Sequence, residues 1–122
     1  MAHQEGDEFK AAMVALILSG KTEEALEELG RNYGVRSPAI RVGHHKGTKR
    51  VEAVYVQERK TIFFARGENL SNPFVVLHEF YHHLRSRTGE HRGNEKLADE
   101  FAISYINAFN RLASKRPADS PL

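Results

Sequence analysis

The run His78-Glu79-Phe80-Tyr81-His82 has the spacing H-E-x-x-H and lies inside an apolar segment. On a helix, side chains four residues apart lie on one face, about one turn apart, so His78 and His82 can reach the same metal ion. Glu79 then lies beside that ion, where a carboxylate can act as the base for a metal-bound water. The run therefore predicts a helix that carries a zinc hydrolase site.

The flanking residues predict where this helix begins and ends. Ser71-Asn72 precedes Pro73, and proline is favoured in the first turn of a helix. The helix can continue to about Arg87, because Thr88-Gly89 is a stop signal. Apolar residues surround the histidines, so we expect a buried central helix with one polar stripe.

A catalytic zinc site usually has three protein ligands and keeps one position for water. The chain has no cysteine, so a carboxylate or another histidine must be the third ligand. Residues 94–102 predict a helix on which Glu95 and Asp99 lie one turn apart. Small side chains at Ala98 and Ala102 would let this helix approach the first and bring Glu95 to the metal. Asp99 could then accept the ring N–H of a ligand histidine.

Glu100 competes with Glu95 for the role of third ligand, because both belong to the same predicted helix. Five residues on a helix turn about 500°, which is about 140° net, so only one of the two can face the metal. We expect Glu95 to be the ligand because Asp99 lies on a similar face. Glu100 would point away from the surface formed by Ala98 and Ala102.

These residues resemble a known family. The two motifs are His78-Glu79-x-x-His82 and Glu95-x-x-Ala98-Asp99-x-Phe101-Ala102. They are similar to those of the gluzincin metallopeptidases, most closely the small ImmA/IrrE-like domains and the minigluzincins. The resemblance extends over about Ser37 to Phe109. The resemblance implies that His78, His82 and Glu95 bind zinc and that Glu79 is the base and proton shuttle in peptide hydrolysis. The third histidine of the metzincin motif is absent, and His91 does not lie at the position that would supply it.

Peptide hydrolysis also needs a hydrogen-bond donor for the oxyanion that forms when water attacks the carbonyl. Tyr105 and His91 are the candidates, although residues of these types more often pack or lie on the surface. His83 points about 100° away from His82 on the helix and cannot share its metal. We therefore expect His83 to be an ordinary neighbour on the helix flank.

The periodicity along the chain predicts an α+β fold of one domain: N-terminal helices in residues 1–36, a catalytic core in 37–113 and a polar tail in 114–122. Two helices are expected, Asp7 to Ser19 and Thr22 to Tyr33, the second capped by Thr22 and ended by Gly34. Three strands follow, at Ala39–Val42, Val51–Val56 and Thr61–Ala65. We expect a minimal zincin-like arrangement, in which this small sheet packs on the central metal-binding helix and a C-terminal helix carries Glu95.

The strand just before the metal helix, Thr61 to Arg66, is the predicted edge strand. An exposed edge above the metal could pair with an extended peptide by strand addition. An ordinary hairpin strand is an equally good interpretation of the same residues.

Composition limits the remaining classes. The net charge is only +2, and the short basic segment 44–50 is typical of a solvated hairpin tip, so we do not expect contact with nucleic acid. No apolar run approaches 18 residues, so we expect no membrane span. The start of the chain, Met1 to Glu8, includes acidic residues where a secretory signal would have basic ones, and we expect a cytoplasmic location.

The sequence thus predicts a zinc metalloendopeptidase that acts on a peptide or protein, and it makes no prediction of oligomeric state. Three alternatives stay open. The zinc site could stabilise a silent regulatory or protein-binding module. The enzyme could be latent, inhibited by its own terminal segment, with Asp119 or His3 in the position of the water. The first two helices could instead form a helix-turn-helix that binds DNA.

Overall fold

The computed structural model describes residues 6–43, 51–86 and 95–114. The elements in these ranges are α1 (Asp7–Leu18), α2 (Thr22–Tyr33), β1 (Ala39–Val42), β2 (Ala53–Val56), β3 (Thr61–Phe64), α3 (Pro73–Ser86) and α4 (Glu95–Ser114), with short 3-10 turns at Gln57–Arg59 and Gly67–Ser71. The predicted α+β class is confirmed. Both helices that carry the candidate site residues also form where the sequence places them.

The three strands form a mixed sheet in the order β1-β3-β2. β3 is parallel to β1 and antiparallel to β2, and every residue of β3 is buried. The prediction that Thr61 to Arg66 forms an edge strand is therefore wrong, because β3 is hydrogen-bonded on both sides. Its apolar run Ile62-Phe63-Phe64 suits a strand that is covered on both faces.

The two N-terminal helices pack against each other, and α1 also lies along α4. Thr22 is the first residue of α2 rather than its cap, and its hydroxyl donates to the carbonyl of Leu70. α2 ends at Gly34, whose φ of 73° is in the left-handed region that glycine favours. The chain then folds back closely over Gly30, where an added Cβ would lie 2.6 Å from the carbonyl oxygen of Val35. This tight turn brings Arg36 beside α3.

α3 lies between the sheet and α4, with contacts to β2 on one side and to α4 on the other. Its first residue is Pro73, and the side-chain oxygen of Asn72 accepts a hydrogen bond of 3.3 Å from the Val75 amide. On α4, Ala98 and Ala102 have no exposed surface. α4 packs against α3, and this contact places the N-terminal turn of α4 next to the histidines of α3.

Several predictions concern segments outside the described residues. The basic segment 44–50, the predicted helix stop at Thr88-Gly89, the candidate donor His91, and the terminal residues His3 and Asp119 belong to this group. Of the helices in the described ranges, none combines the length and the apolar character that crossing a bilayer requires.

Candidate metal centre

Three side chains from two helices meet at one point. His78 and His82 lie one turn apart on α3, and Glu95 is the first residue of α4. The Glu95 carboxylate spans both rings, with Oε1 2.8 Å from His78 Nε2 and Oε2 3.4 Å from His82 Nε2. One ligand atom from each residue lies within 4.8 Å of the others, as a shared metal ion requires.

These distances allow a test of whether a metal ion fits. An ion with tetrahedral bonds of about 2.0–2.1 Å holds its ligand atoms about 3.3–3.4 Å apart. The 3.4 Å between His82 Nε2 and Glu95 Oε2 already matches this ligand separation. The 2.8 Å between His78 Nε2 and Glu95 Oε1 is a hydrogen-bond distance, which must widen by about half an ångström when a metal binds. The Glu95 side chain is 74% exposed and can make this small movement. The triad therefore fits a metal ion that accepts nitrogen and oxygen ligands.

Asp99 orients one of the two imidazoles. It lies one turn after Glu95 on α4, and its Oδ1 is 2.9 Å from His78 Nδ1. The Nδ1–H of His78 donates to this carboxylate, which leaves the Nε2 lone pair directed at the candidate centre. The structure thus places Asp99 where the sequence predicts it.

Glu79 lies beside the triad but is not part of it. Its Oε2 is 3.9 Å from His78 Nε2, and only 12% of its side chain is exposed. Burial raises the pKa of Glu79 to about 7, against smaller opposing effects from the charge of His78 and a hydrogen bond from the Tyr55 backbone. A carboxyl group with a pKa near neutrality is suited to accept and release a proton at neutral pH.

The pKa of Glu95 moves in the opposite direction. Partial burial alone would raise it, but the hydrogen bond to His78 and the charges of His82 and His78 outweigh that effect. The pKa of Glu95 therefore lies below its usual value, and its carboxylate is ionised over the pH range in which imidazoles bind metals.

His83 is more than the flank neighbour that the sequence suggests, although it does not share the metal, as expected. It is 4% exposed, its Nε2 lies 2.7 Å from the carbonyl oxygen of Arg36, and its Nδ1 lies 2.8 Å from the hydroxyl of Tyr55. One signal in the sequence could have identified it. Glu79 and His83 are four residues apart, just as His78 and His82 are, so α3 presents two pairs of polar residues on adjacent faces.

Tyr105, one of the two predicted oxyanion donors, is not brought to the triad. Tyr105 has no exposed surface, its hydroxyl lies 2.6 Å from that of Tyr33, and its ring packs against Phe9 and Phe101. A side chain enclosed in this way cannot touch a substrate. His91 lies outside the described residues.

Comparisons of the chain with protein-family models, with curated proteins and with solved structures found no match. Five side chains make up the candidate site. These are His78, Glu79, His82, Glu95 and Asp99.

We expect the protein to bind one divalent metal ion per chain, and we expect His78→Ala or His82→Ala to abolish this binding. Each substitution removes one of three ligands, and the remaining two cannot complete a tetrahedral site. Elemental analysis of the purified protein and metal titration measure the effect, with circular dichroism to verify folding. Binding at wild-type affinity in either variant would place the ligands elsewhere.

Glu95→Ala should weaken metal binding by at least about 100-fold, a larger loss than the 10-fold to 100-fold typical of an outer residue such as Asp99. Glu100→Ala is the matched control, because Glu100 lies on the same helix and is exposed. Competition with a chromophoric chelator gives both affinities. A larger loss in the Glu100 variant than in the Glu95 variant would reverse the assignment of the third ligand.

The raised pKa of Glu79 predicts a pH-dependent cost to the metal-free fold. Glu79 binds its proton more tightly in the folded chain than in the unfolded chain. Its ionisation therefore leaves the free energy of unfolding unchanged below pH 4.5 and lowers that free energy progressively up to about pH 7. Glu79→Gln, which stays neutral, should therefore unfold with a free energy that exceeds that of the wild type by up to about 3 kcal/mol above pH 7. Below pH 4.5 the two proteins should not differ in this way.

Urea unfolding in the presence of a chelator, at a series of pH values, tests this expectation. Glu100→Gln serves as the control, and its difference from the wild type should not vary over the same range. A Glu79→Gln difference that is independent of pH would show that Glu79 ionises as readily in the folded chain as in the unfolded one.

Proposed function

We propose that this protein is a zinc-dependent peptidase of the gluzincin type. The observation that carries the proposal is the position of Glu79, a buried carboxyl group with a pKa of about 7 whose oxygen lies 3.9 Å from a ligand nitrogen of the triad. A purely structural metal site needs no additional carboxyl group of this kind. A hydrolase does, because the attacking water must lose a proton.

Zinc suits the ligand set better than the other common ions. Two imidazoles and one carboxylate, with no thiolate, form a three-ligand site of the kind found in zinc hydrolases, whereas magnesium and calcium prefer sites made entirely of oxygen. When bound, Zn²⁺ polarises the substrate carbonyl and lowers the pKa of a bound water toward neutrality. His78 and His82 would hold it through their Nε2 atoms, and Glu95 through its carboxylate.

Asp99 and Glu79 have different tasks in the proposed reaction. Asp99 fixes the ring of His78 through the 2.9 Å hydrogen bond to Nδ1. Glu79 takes one proton from the attacking water as its oxygen bonds to the carbonyl carbon, and later gives that proton to the amine nitrogen as the C–N bond breaks. One peptide bond and one water are consumed, and a carboxylic acid and an amine are released.

The substrate class we propose is an extended peptide, with β2 as the strand to which it would pair. The Ala65 amide donates to the Glu52 carbonyl, so the backbone groups of Val54 face β3. Those of Ala53 and Tyr55 face the opposite edge of β2, where no strand in the described part of the chain pairs. The Tyr55 amide is used by Glu79, which leaves the Ala53 groups and the Tyr55 carbonyl for a peptide. This edge reaches Glu79, since a Tyr55 backbone hydrogen bond contacts that carboxyl group. β2 therefore replaces β3 as the candidate for peptide addition.

Glu79→Gln should lower turnover of an unfolded protein such as casein by about 100-fold to 10,000-fold, the range that general-base catalysis supplies. Glutamine keeps the size of the side chain but cannot accept the proton, and it is not one of the proposed ligands, so zinc content should stay at one per chain. Glu100→Gln is the control and should retain wild-type turnover. Proteins trimmed of residues 115–122 or 1–6 should be assayed in parallel, so that inhibition by a terminal segment is detected.

Two results would count against the proposal. Zinc bound at wild-type affinity without turnover in the full-length and trimmed proteins would favour the silent regulatory or protein-binding module. Equal turnover by the active protein and its Glu79→Gln variant would remove Glu79 from the role of base.

A further inference from the structure

Tyr55 of β2 forms hydrogen bonds with α3 through both its backbone and its side chain. Glu79 and His83 lie one turn apart on α3, on the face that packs against β2. Glu79 receives a hydrogen bond from the backbone of Tyr55, and His83 Nδ1 lies 2.8 Å from the Tyr55 hydroxyl. Two turns of α3 therefore contact the main chain and the side chain of the same residue.

The hydrogen-bond directions within this arrangement follow from its chemistry. The Arg36 carbonyl can only accept, so His83 Nε2 carries the hydrogen of the 2.7 Å bond between them. In the neutral ring His83 Nδ1 is then an acceptor, and the Tyr55 hydroxyl donates to it. Burial raises the pKa of the Tyr55 hydroxyl, against a smaller lowering effect of its hydrogen bond with Ser86, so this donor keeps its proton at neutral pH.

Packing fixes the same pair of side chains. The rings of Tyr55 and His83 meet edge to face, with centroids 5.2 Å apart and planes inclined at 72°. Both residues are less than one-tenth exposed. A buried hydrogen bond between two well-packed rings restricts where the backbone of residue 55 can lie.

The backbone of Tyr55 needs such a restraint. Its amide faces away from β3, on the side of β2 where no strand of the described residues pairs with it, and a four-residue edge strand is easily displaced. If β2 were displaced, the hydrogen bond from the Tyr55 backbone to the Glu79 carboxyl group would be lost. It is the only hydrogen bond from β2 to this group among the described residues. The carboxyl group would then be free to rotate away from the water it must deprotonate.

We propose that Tyr55 and His83 are positioning residues: their hydrogen bond holds the edge of β2 against α3, so that the Tyr55 amide fixes the Glu79 carboxyl group beside the metal centre. The effect on turnover rests on the proposed function, in which Glu79 is the base. The mechanical part does not, because it concerns only how the strand is held.

Two substitutions break this hydrogen bond in different ways. Tyr55→Phe removes the hydroxyl and keeps the ring. His83→Gln loses the acceptor at Nδ1, while the glutamine amide reaches the position of Nε2 and can still donate to Arg36. Tyr33→Phe is the matched control, because it removes a hydroxyl from another interior pair, 2.6 Å from the hydroxyl of Tyr105, without touching β2 or Glu79.

The first measurement is amide hydrogen exchange at residue 55 in the metal-free proteins, followed by NMR with ¹⁵N-labelled tyrosine or phenylalanine. Both Tyr55→Phe and His83→Gln should speed this exchange about fivefold relative to Tyr33→Phe, as expected for the loss of one net hydrogen bond. The double variant should exchange no faster than either single variant, because both remove the same bond. Exchange equal to that of Tyr33→Phe in both variants would overturn the inference.

The second measurement is steady-state cleavage by the zinc-loaded proteins. Both variants should lower kcat about tenfold, since a misplaced base slows the chemical step, and any rise in KM from weaker pairing of the peptide with β2 should be smaller than this loss. Faster exchange at residue 55 with unchanged kcat would also overturn the positioning role. Absence of turnover in the wild type would instead count against the proposed function, and the exchange measurement would then decide the inference alone.

Discussion

The site depends on the packing of α4 against α3, because each helix supplies part of it. Asp99 and Glu95 of α4 both reach the ring of His78 on α3, at 2.9 and 2.8 Å. Aromatic rings connect the two helices beside the site, where Phe101 packs against Phe80 and Tyr81. Because Asp99 and Glu95 lie on one helix, a change in how α4 packs on α3 would move both carboxylates together.

α3 is equally dependent on its second neighbour, β2. Successive residues on a helix are about 100° apart, so Glu79 and His83 lie on a different face of α3 from His78 and His82. The histidine pair faces α4 and the candidate metal, while the Glu79 and His83 pair faces Tyr55. One helix thus supplies both the ligands and the candidate base, and the distance between them is set by the helix itself rather than by a loop.

Local signals in the sequence were sufficient for the helices and for the triad. Gly34 and Pro73 mark ends that depend only on backbone conformation, and the spacing of four residues that aligns His78 with His82 is a property of any helix. The order of the strands was not accessible in the same way. It depends on pairing between residues far apart in the chain, and the order along the sequence suggested that β3 lay at an edge when it lies between β1 and β2.

The strand order also determines whether the contact between Tyr55 and His83 can be predicted. A sequence prediction that places β3 at the edge gives the Glu79 and His83 pair on α3 no strand to contact. The apolar run of β3 contained a signal against that assignment, because an edge strand with one solvated face is expected to alternate. The Tyr105 prediction failed for a related reason, since helical periodicity does not distinguish a tyrosine that faces a site from one that completes the core.

The two glutamates of the candidate site lie in contrasting environments. Glu95 is 74% exposed and contacts two imidazoles, which stabilise its charge and lower its pKa. Glu79 lies on the face of α3 that packs against β2, and burial raises its pKa to about 7. A metal ligand must be ionised, whereas a general base must exchange a proton near the working pH. Environments that separate the pKa values of neighbouring carboxyl groups in this direction support the proposed assignment, in which Glu95 is the ligand and Glu79 the base.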